Sequence, residues 1–260
     1  MSQFLDHLKP FAIEIDGYLT DLLDKKISIE NELKDSIIYS SIGSGKRIRG
    51  YLSWEIANFF GADKSDALKL ASAIELIHTY SLIHDDLQDR DLLRRGFPTI
   101  WNRFGDHTAI NLGDYFIAGS FEALSKINGS PENKCKAIEH LSYTIQQTVK
   151  GQSLEILERS NINLRMEEYE STAKAKTGGL ICWPIKLIMI LNGEKNIDEI
   201  NFKPLYEAGL AYQIQDDLSD FLGIKDRGLP GRDLKEGKMN VLIMHYIDSV
   251  SYTHLRAHET

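Results

Sequence analysis

His84-Asp-Asp-Leu-Gln-Asp-Arg-Asp-Leu-Leu-Arg-Arg-Gly-Phe-Pro98 packs spaced carboxylates, paired arginines and a helix stop into one short segment. The residues leading into it carry apolar side chains at i, i+3, i+4 and i+7, which predicts a helix over 65–93. On that helix Asp85 and Asp89 stack on one face with Asp86 beside them. Crowding like charges costs a bare helix roughly 0.2–0.5 kcal/mol per pair, and a cation among the oxygens would relieve it. Oxygen donors with no Cys and one flanking His favour Mg²⁺ or Mn²⁺ over zinc. Arg94 and Arg95 follow within two turns, and guanidinium groups suit bidentate capture of phosphate. Metal-ligating acids beside phosphate-binding bases describe a diphosphate site. Alone, the acidic triad is weak evidence, because most acidic clusters are solvated helix faces.

The same spacing returns in Gln213-Ile-Gln-Asp-Asp-Leu-Ser-Asp220, where Asp216, Asp217 and Asp220 follow the apolar approach Leu205, Ala208, Leu210, Ala211 and Ile214. Two triads of one design in one chain are hard to ascribe to chance. Helical periodicity covers 3–24, 27–41, 47–60, 65–93, 107–127, 133–157, 166–192 and 203–222, and no alternating β-branched window competes. The expectation is an all-α, single-domain multi-helix bundle. In it the two triads close helices running side by side, and apolar faces line an active-site cavity between helices.

Composition narrows the function. The 260 residues suit one core, and no Pro/Gly/Ser-rich linker divides them. Thirty basic against 38 acidic residues leave a net charge of −8, which argues against general nucleic-acid binding. Cys135 and Cys182 are too few and too far apart for a disulfide framework or a zinc site, so a reducing cytoplasm is expected. The N-terminus has no basic-then-apolar signal pattern, and the longest apolar run, 178–193, is broken by Pro184 and Lys186, so no transmembrane segment is expected.

Smaller signals lie between the helices. Ile42-Gly-Ser-Gly-Lys-Arg-Ile-Arg49 is a glycine turn feeding a basic helix start, without the spacing of a P-loop. His78 sits on an otherwise apolar helix, where a satisfied core histidine is the commoner case. Lys176-Thr-Gly-Gly179 reads either as a helix C-cap or as an anion-binding turn.

In order, GKRIR, HxxxxxHDDxxDxxxxRRGxP, GDY, KGQ, KTGG, QxxDDxxD and GRDLKEGK resemble the trans-isoprenyl diphosphate synthases, the farnesyl and geranylgeranyl diphosphate synthase family. The likeness spans roughly 40–245. It implies that Asp85, Asp86, Asp89, Asp216, Asp217 and Asp220 hold about three Mg²⁺ against an allylic diphosphate, with Mn²⁺ as a substitute. Arg94, Lys176, Thr177, Gln213 and Lys238 would complete that grip, and Gln152 of KGQ matches a position lining the allylic site. Lys46, Arg49, His78 and Arg95 match positions that bind isopentenyl diphosphate. Asp85, Asp86, Asp89, Lys176 and Asp216 would carry the chemistry. A homodimer is implied as well.

Relatives set product length by bulk below the first acidic motif. Tyr80, about 7.5 Å down the axis from Asp85 at about 1.5 Å per residue, would be a floor, and Ser81, one turn below Asp85, leaves room above it. No insertion splits Asp85–Asp89, which resembles archaeal-type short-chain enzymes. A product of farnesyl to geranylgeranyl length (C15–C20) is expected, favouring geranylgeranyl. Two departures stand out. Gly228 occupies a place where the family commonly has Lys, with Lys225 or Arg227 as substitutes from the same loop. After residue 248 the family continues for several helices, whereas 249–260 lacks an apolar period and resembles a translated sequencing-adapter artefact. The expectation is therefore a polyprenyl synthetase domain over 1–248 with its C-terminal helices missing, and exposed apolar faces that lower stability. Two rival readings are a class I terpene cyclase and a non-catalytic regulatory subunit. The cyclase usually has an Asn/Ser/Glu-type second metal motif, and the regulatory subunit tends to lose one acidic motif.

Overall fold

The computed structural model describes residues 2–24, 32–41, 45, 47–157, 165–224, 230–238, 240–247 and 249. In chain order the helices are α1 (Ser2–Asp24), α2 (Glu32–Ser41), α3 (Ile48–Phe59), α4 (Lys64–Gln88), α5 (Ile100–Phe104), α6 (Asp106–Ser125), α7 (Pro131–Leu157), α8 (Met166–Ala173), α9 (Gly179–Leu191), α10 (Lys203–Phe221) and α11 (Arg232–Lys235). A hairpin of β1 (Leu93–Arg94) and β2 (Phe97–Pro98) interrupts them. The fold is all-α, as the periodicity requires. Contacts divide the chain into two compact units, residues 1–141 with 184–197 and residues 142–183 with 198–260.

The first unit is built around α4. Leu70, Ala71, Ala73, Ile74, Leu76, Ile77, Tyr80 and Ile83 are all buried, so apolar residues surround this helix, which packs against α6 and α3. Each fully buried Leu or Ile contributes roughly 1.5–3 kcal/mol. Asp63 caps the N-terminus by accepting from the Asp66 amide at 2.8 Å. At the other end Asp89 N–H still donates to Asp85 O at 2.8 Å, and then Arg90 turns left-handed at φ 55°.

The helix expected to run to residue 93 therefore ends at Gln88. Arg95 and Gly96 both take positive φ, 54° and 80°, the geometry of a type I′ turn. A non-glycine residue in that region costs roughly 1–2 kcal/mol, which is why the Arg95 turn escapes a propensity reading. Thr99 Oγ1 and Trp101 Nε1 fasten the hairpin by donating to Asp91 O at 2.6 and 2.8 Å.

In the second unit Tyr169, Ala173, Leu210 and Met244 form a core, with Met166, Ile214, Val241, Ile243 and Ile247 against it. The expected helix 166–192 contains a π turn over Lys174–Gly178, closed by Gly179 N–H donating to Lys174 O. Such single-turn bulges insert a residue and rotate the helix beyond them, and they concentrate at functional positions. The C-cap reading of Lys176–Gly179 is thereby corrected, because helix resumes at Gly179 and continues to Leu191. A Cβ on Gly209 would lie 2.3 Å from Gly178 N and 2.4 Å from Gly178 Cα, so the π turn and α10 meet backbone to backbone. Only glycine permits that approach.

Candidate active site

Within the first unit α4 presents a row of polar groups, each met by an arginine. Glu75 meets Arg47 at 3.1 Å, His78 Nε2 meets Arg49 Nη1 at 3.1 Å, and Asp86 meets Arg94. The last is a fork: Arg94 Nε donates to both Asp86 oxygens at 2.8 Å and Nη2 donates to Oδ1 at 2.5 Å, with the side chains 15% and 6% exposed. Asp85 and Asp89 are half-buried, one turn apart. His84 beside them packs edge-on to Tyr80, ring centroids 5.0 Å apart. Gly113 of the GDY motif makes room for this pair, since a Cβ there would lie 2.1 Å from His84 Nε2. Tyr80 is buried, and Ser81 Oγ turns back to donate to His78 O at 2.8 Å.

Burial first, then Arg49, Arg95, Arg94 and Arg47, push the His78 imidazole well below its ordinary range. Of these guanidinium groups Arg47 and Arg94 are held by carboxylates, and Arg49 against His78 together with Arg95 makes a cationic nest suited to an anion. Arg95 belongs to it from the hairpin tip, where its guanidinium lies against Gly45. Lys46 lies outside the described residues. The depressed pKa carries a stability consequence. An unfolded His78 takes up a proton near pH 6.5 while the folded one refuses it, so its contribution is complete above about pH 6.5 and lost as pH falls below. Melting temperature is expected to drop more steeply between pH 7 and 5 in the wild type than in His78→Gln. Parallel curves would discard this assignment.

In the second unit the π turn places Lys176 Nζ 2.5 Å from Gln152 Oε1 and 2.8 Å from Glu155 Oε2. Thr177 Oγ1 donates to Gln213 Oε1 at 3.2 Å, and Gln213 Nε2 donates to Asp217 Oδ1 at 2.9 Å. Asp217 also accepts from Tyr169 Oη at 2.8 Å and from Val241 N–H at 2.9 Å. Burial pushes the Asp217 carboxyl up against the pull of these donors, and burial together with Asp217 raises the Tyr169 hydroxyl. Asp216 is half-buried. Asp220 is buried, and its Oδ2 accepts from Asp233 N–H at 3.1 Å. Lys238 pairs with Glu236 at 3.2 Å and Asp233 at 3.5 Å. Residues 225–229, where Lys225, Arg227 and Gly228 fall, and the tail 250–260 lie outside the described residues.

Residues 30–258 match the family described as polyprenyl synthetase. The chain belongs to that family. This polyprenyl synthetase chain is 33% identical over 241 residues to a short chain isoprenyl diphosphate synthase of Methanocaldococcus jannaschii, covering 91% of the chain and 72% of that relative. It is 32% identical over 218 residues to a geranylgeranyl diphosphate synthase of Saccharolobus solfataricus, covering 82% of the chain and 65% of the relative. The crystal structure of geranylgeranyl pyrophosphate synthetase from Pyrococcus horikoshii superposes with a TM-score of 0.80 at 29% identity, over 95% of this chain and 76% of that one. Among the described residues no helix is long and apolar enough to cross a membrane.

A polyprenyl synthetase needs a divalent cation, and the donor set suits one. Among the described residues no three His, Cys, Asp or Glu side chains converge on one point. Mg²⁺ is commonly held by one or two carboxylates plus substrate phosphates rather than by an all-protein cage, so paired oxygens one turn apart are an appropriate donor set. The sequence reading missed Glu155, three residues after Gln152 and therefore on its helix face. It also missed Tyr169, for which no local pattern exists. Glu75 was legible in principle, because a lone acid inside an apolar helical run must find a partner if buried.

Proposed function

We propose that the chain condenses isopentenyl diphosphate with an allylic diphosphate, giving an all-trans product of farnesyl to geranylgeranyl length, with geranylgeranyl diphosphate favoured. The observation carrying this reading is the cationic nest of Arg49 and Arg95 at His78, where Arg49 Nη1 lies 3.1 Å from the ring, on the same helix that presents Asp85 and Asp89. Anion-binding groups thus gather beside α4 about two turns below its cation-binding carboxylates, as a metal-bridged diphosphate requires.

Asp85, Asp89, Asp216 and Asp220 would hold Mg²⁺, about three ions by family resemblance. When bound, the metal offsets charge on the departing diphosphate. Asp86 and Asp217, which the resemblance makes ligands, keep their protein partners in this reading and orient Arg94, Gln213 and Tyr169. Lys176 donates to the allylic diphosphate from the π turn, with Gln152 and Glu155 aiming its ammonium group, and Thr177, Gln213 and Lys238 complete that subsite. Lys46, Arg49, His78 and Arg95 hold isopentenyl diphosphate. The allylic C–O bond breaks with its electron pair leaving on the diphosphate, the isopentenyl double bond supplies the pair for the new C–C bond, and a proton then departs to the released diphosphate. Fixed positive charge around the leaving group lowers the barrier without a protein nucleophile. A cytoplasmic homodimer belongs to the same reading on family grounds.

The test is incubation of purified chain with Mg²⁺, labelled isopentenyl diphosphate and a five-, ten- or fifteen-carbon allylic diphosphate, followed by chromatography of the dephosphorylated products. Elongation is expected. A soluble, helical chain that makes no product would favour the regulatory-subunit reading, and cyclised hydrocarbon would favour the cyclase. The same assay tests the floor: Tyr80→Ala is expected to lengthen the product by one or more isoprene units, because it removes the ring buried below Asp85. An unchanged product would reduce Tyr80 to core packing.

A further inference from the structure

We propose that Arg47, Glu75 and Asp16 form a clamp that sets the direction in which Arg49 presents its guanidinium, making all three positioning residues for the isopentenyl diphosphate subsite. The inference rests on the reading above that Arg49 binds that diphosphate. Arg47 lies in the basic run of the glycine turn, yet its side chain points away from solvent and is only 6% exposed. Its Nε and Nη2 reach Asp16 Oδ1 at 2.9 and 2.8 Å, and its Nη1 reaches Glu75 Oε2 at 3.1 Å. One cation between two carboxylates has no charge left over for a phosphate.

Glu75 does a second job. Its Oε1 accepts from Gly50 N–H at 2.7 Å, satisfying a donor in the first turn of α3. A Cβ on Gly50 would lie 2.8 Å from Glu75 Cγ and 3.1 Å from Ile15 Cδ1, so the helix start is seated tightly on α4 and α1. Arg47 holds a left-handed backbone at φ 51°, ψ 30° to make these contacts. Such strain persists only where the surroundings over-determine it. The consequence falls two residues later. Arg47 and Glu75 make one rung between α3 and α4; Arg49 and His78, two residues and three residues further on, make the next at 3.1 Å. Fixing the first rung fixes the second, because α3 begins between them.

The experiment compares Glu75→Gln, Asp16→Asn and Arg49→Gln in the purified chain, measuring KM separately for isopentenyl diphosphate and for the allylic diphosphate, with circular dichroism to verify folding. Glu75→Gln keeps an acceptor for Gly50 but loses the charge facing Arg47. It is expected to raise KM for isopentenyl diphosphate about tenfold, equivalent to about 1.4 kcal/mol, with KM for the allylic diphosphate within about twofold. Asp16→Asn, on the half-exposed partner, should move the same constant about two- to threefold. A purely structural role would shift both constants together or neither. If Arg49→Gln raises KM for isopentenyl diphosphate while the folded clamp variants leave it unchanged, the clamp is overturned and the subsite stands. If Arg49→Gln leaves it unchanged, the subsite reading falls, and the clamp with it. Should Glu75→Gln not fold, Asp16→Asn decides: an unmoved KM refutes the proposal.

Discussion

Asp85→Asn is expected to lose at least about a hundredfold in turnover while its unfolding free energy stays within about 1 kcal/mol of wild type, whereas Asp86→Ala loses turnover and stability together. The two neighbours differ because of what each touches. Asp85 is half-buried next to Asp86 and one turn before Asp89, and an amide of the same shape keeps its hydrogen-bonding atoms while relieving like-charge crowding on the last turn of α4. Asp86 is buried and takes the whole fork of Arg94. Without it the guanidinium, 15% exposed, is left without its forked carboxylate partner. Breaking such a pair from one side costs roughly 3–5 kcal/mol. On charge spacing alone, any carboxylate of the triad would be dispensable for folding, and the fork reverses that expectation for Asp86. Urea unfolding of both variants beside turnover checks it. Equal stability in the two would show that Arg94 finds another partner at no cost, and near-normal turnover in Asp85→Asn would remove that residue from the metal site.

The same pair marks the limit of what spacing can tell. That α4 is a helix, that α10 repeats its acidic ending, and that arginines come after the first triad are all periodic or compositional facts, and most long helices lie where the apolar period puts them, although α4 stops at Gln88 rather than 93 and the short α5 falls in no periodic window. Partnership depends on approach between distant segments. Tyr169 lies 48 residues from Asp217, and Val241 donates to the same oxygen from 24 residues away. Nothing local announces either. The turns escaped for a different reason. Arg90 and Arg95 adopt left-handed backbone at an energetic cost, so propensity argues against the very turn that aims Arg95 at the nest. The π turn escaped because its sequence is ordinary helix, and only the close approach of Gly178 and Gly209 requires the extra residue. A paired glycine signal in KTGG and in α10 was present, but its meaning is tertiary.

That approach supports the other large effect. Gly209→Ala is expected to destabilise the chain by roughly 1–3 kcal/mol and to suppress turnover, because the new methyl would sit 2.3 Å from Gly178 N, 2.4 Å from Gly178 Cα and 3.0 Å from Thr177 C. These are backbone atoms and cannot swing aside, so α10 must move off the π turn. Gln213 lies one helical turn beyond Gly209 on the same face, and its 3.2 Å contact with Thr177 would part. Thr177 and Lys176 would then lose the register that aims them. Gly179→Ala is the matched control. No atom lies within 4 Å of its added methyl, and its φ of −55° is ordinary helix. Alanine there should be neutral or stabilise by roughly 0.5–1 kcal/mol through helix propensity. The two substitutions are chemically identical, and Gly179 directly follows the Gly178 that Gly209 meets, so a difference between them isolates the backbone contact. Thermal melts and turnover of both variants decide the matter: if Gly209→Ala melts with Gly179→Ala, the helices have room that the geometry denies, and the π turn does not depend on this seam.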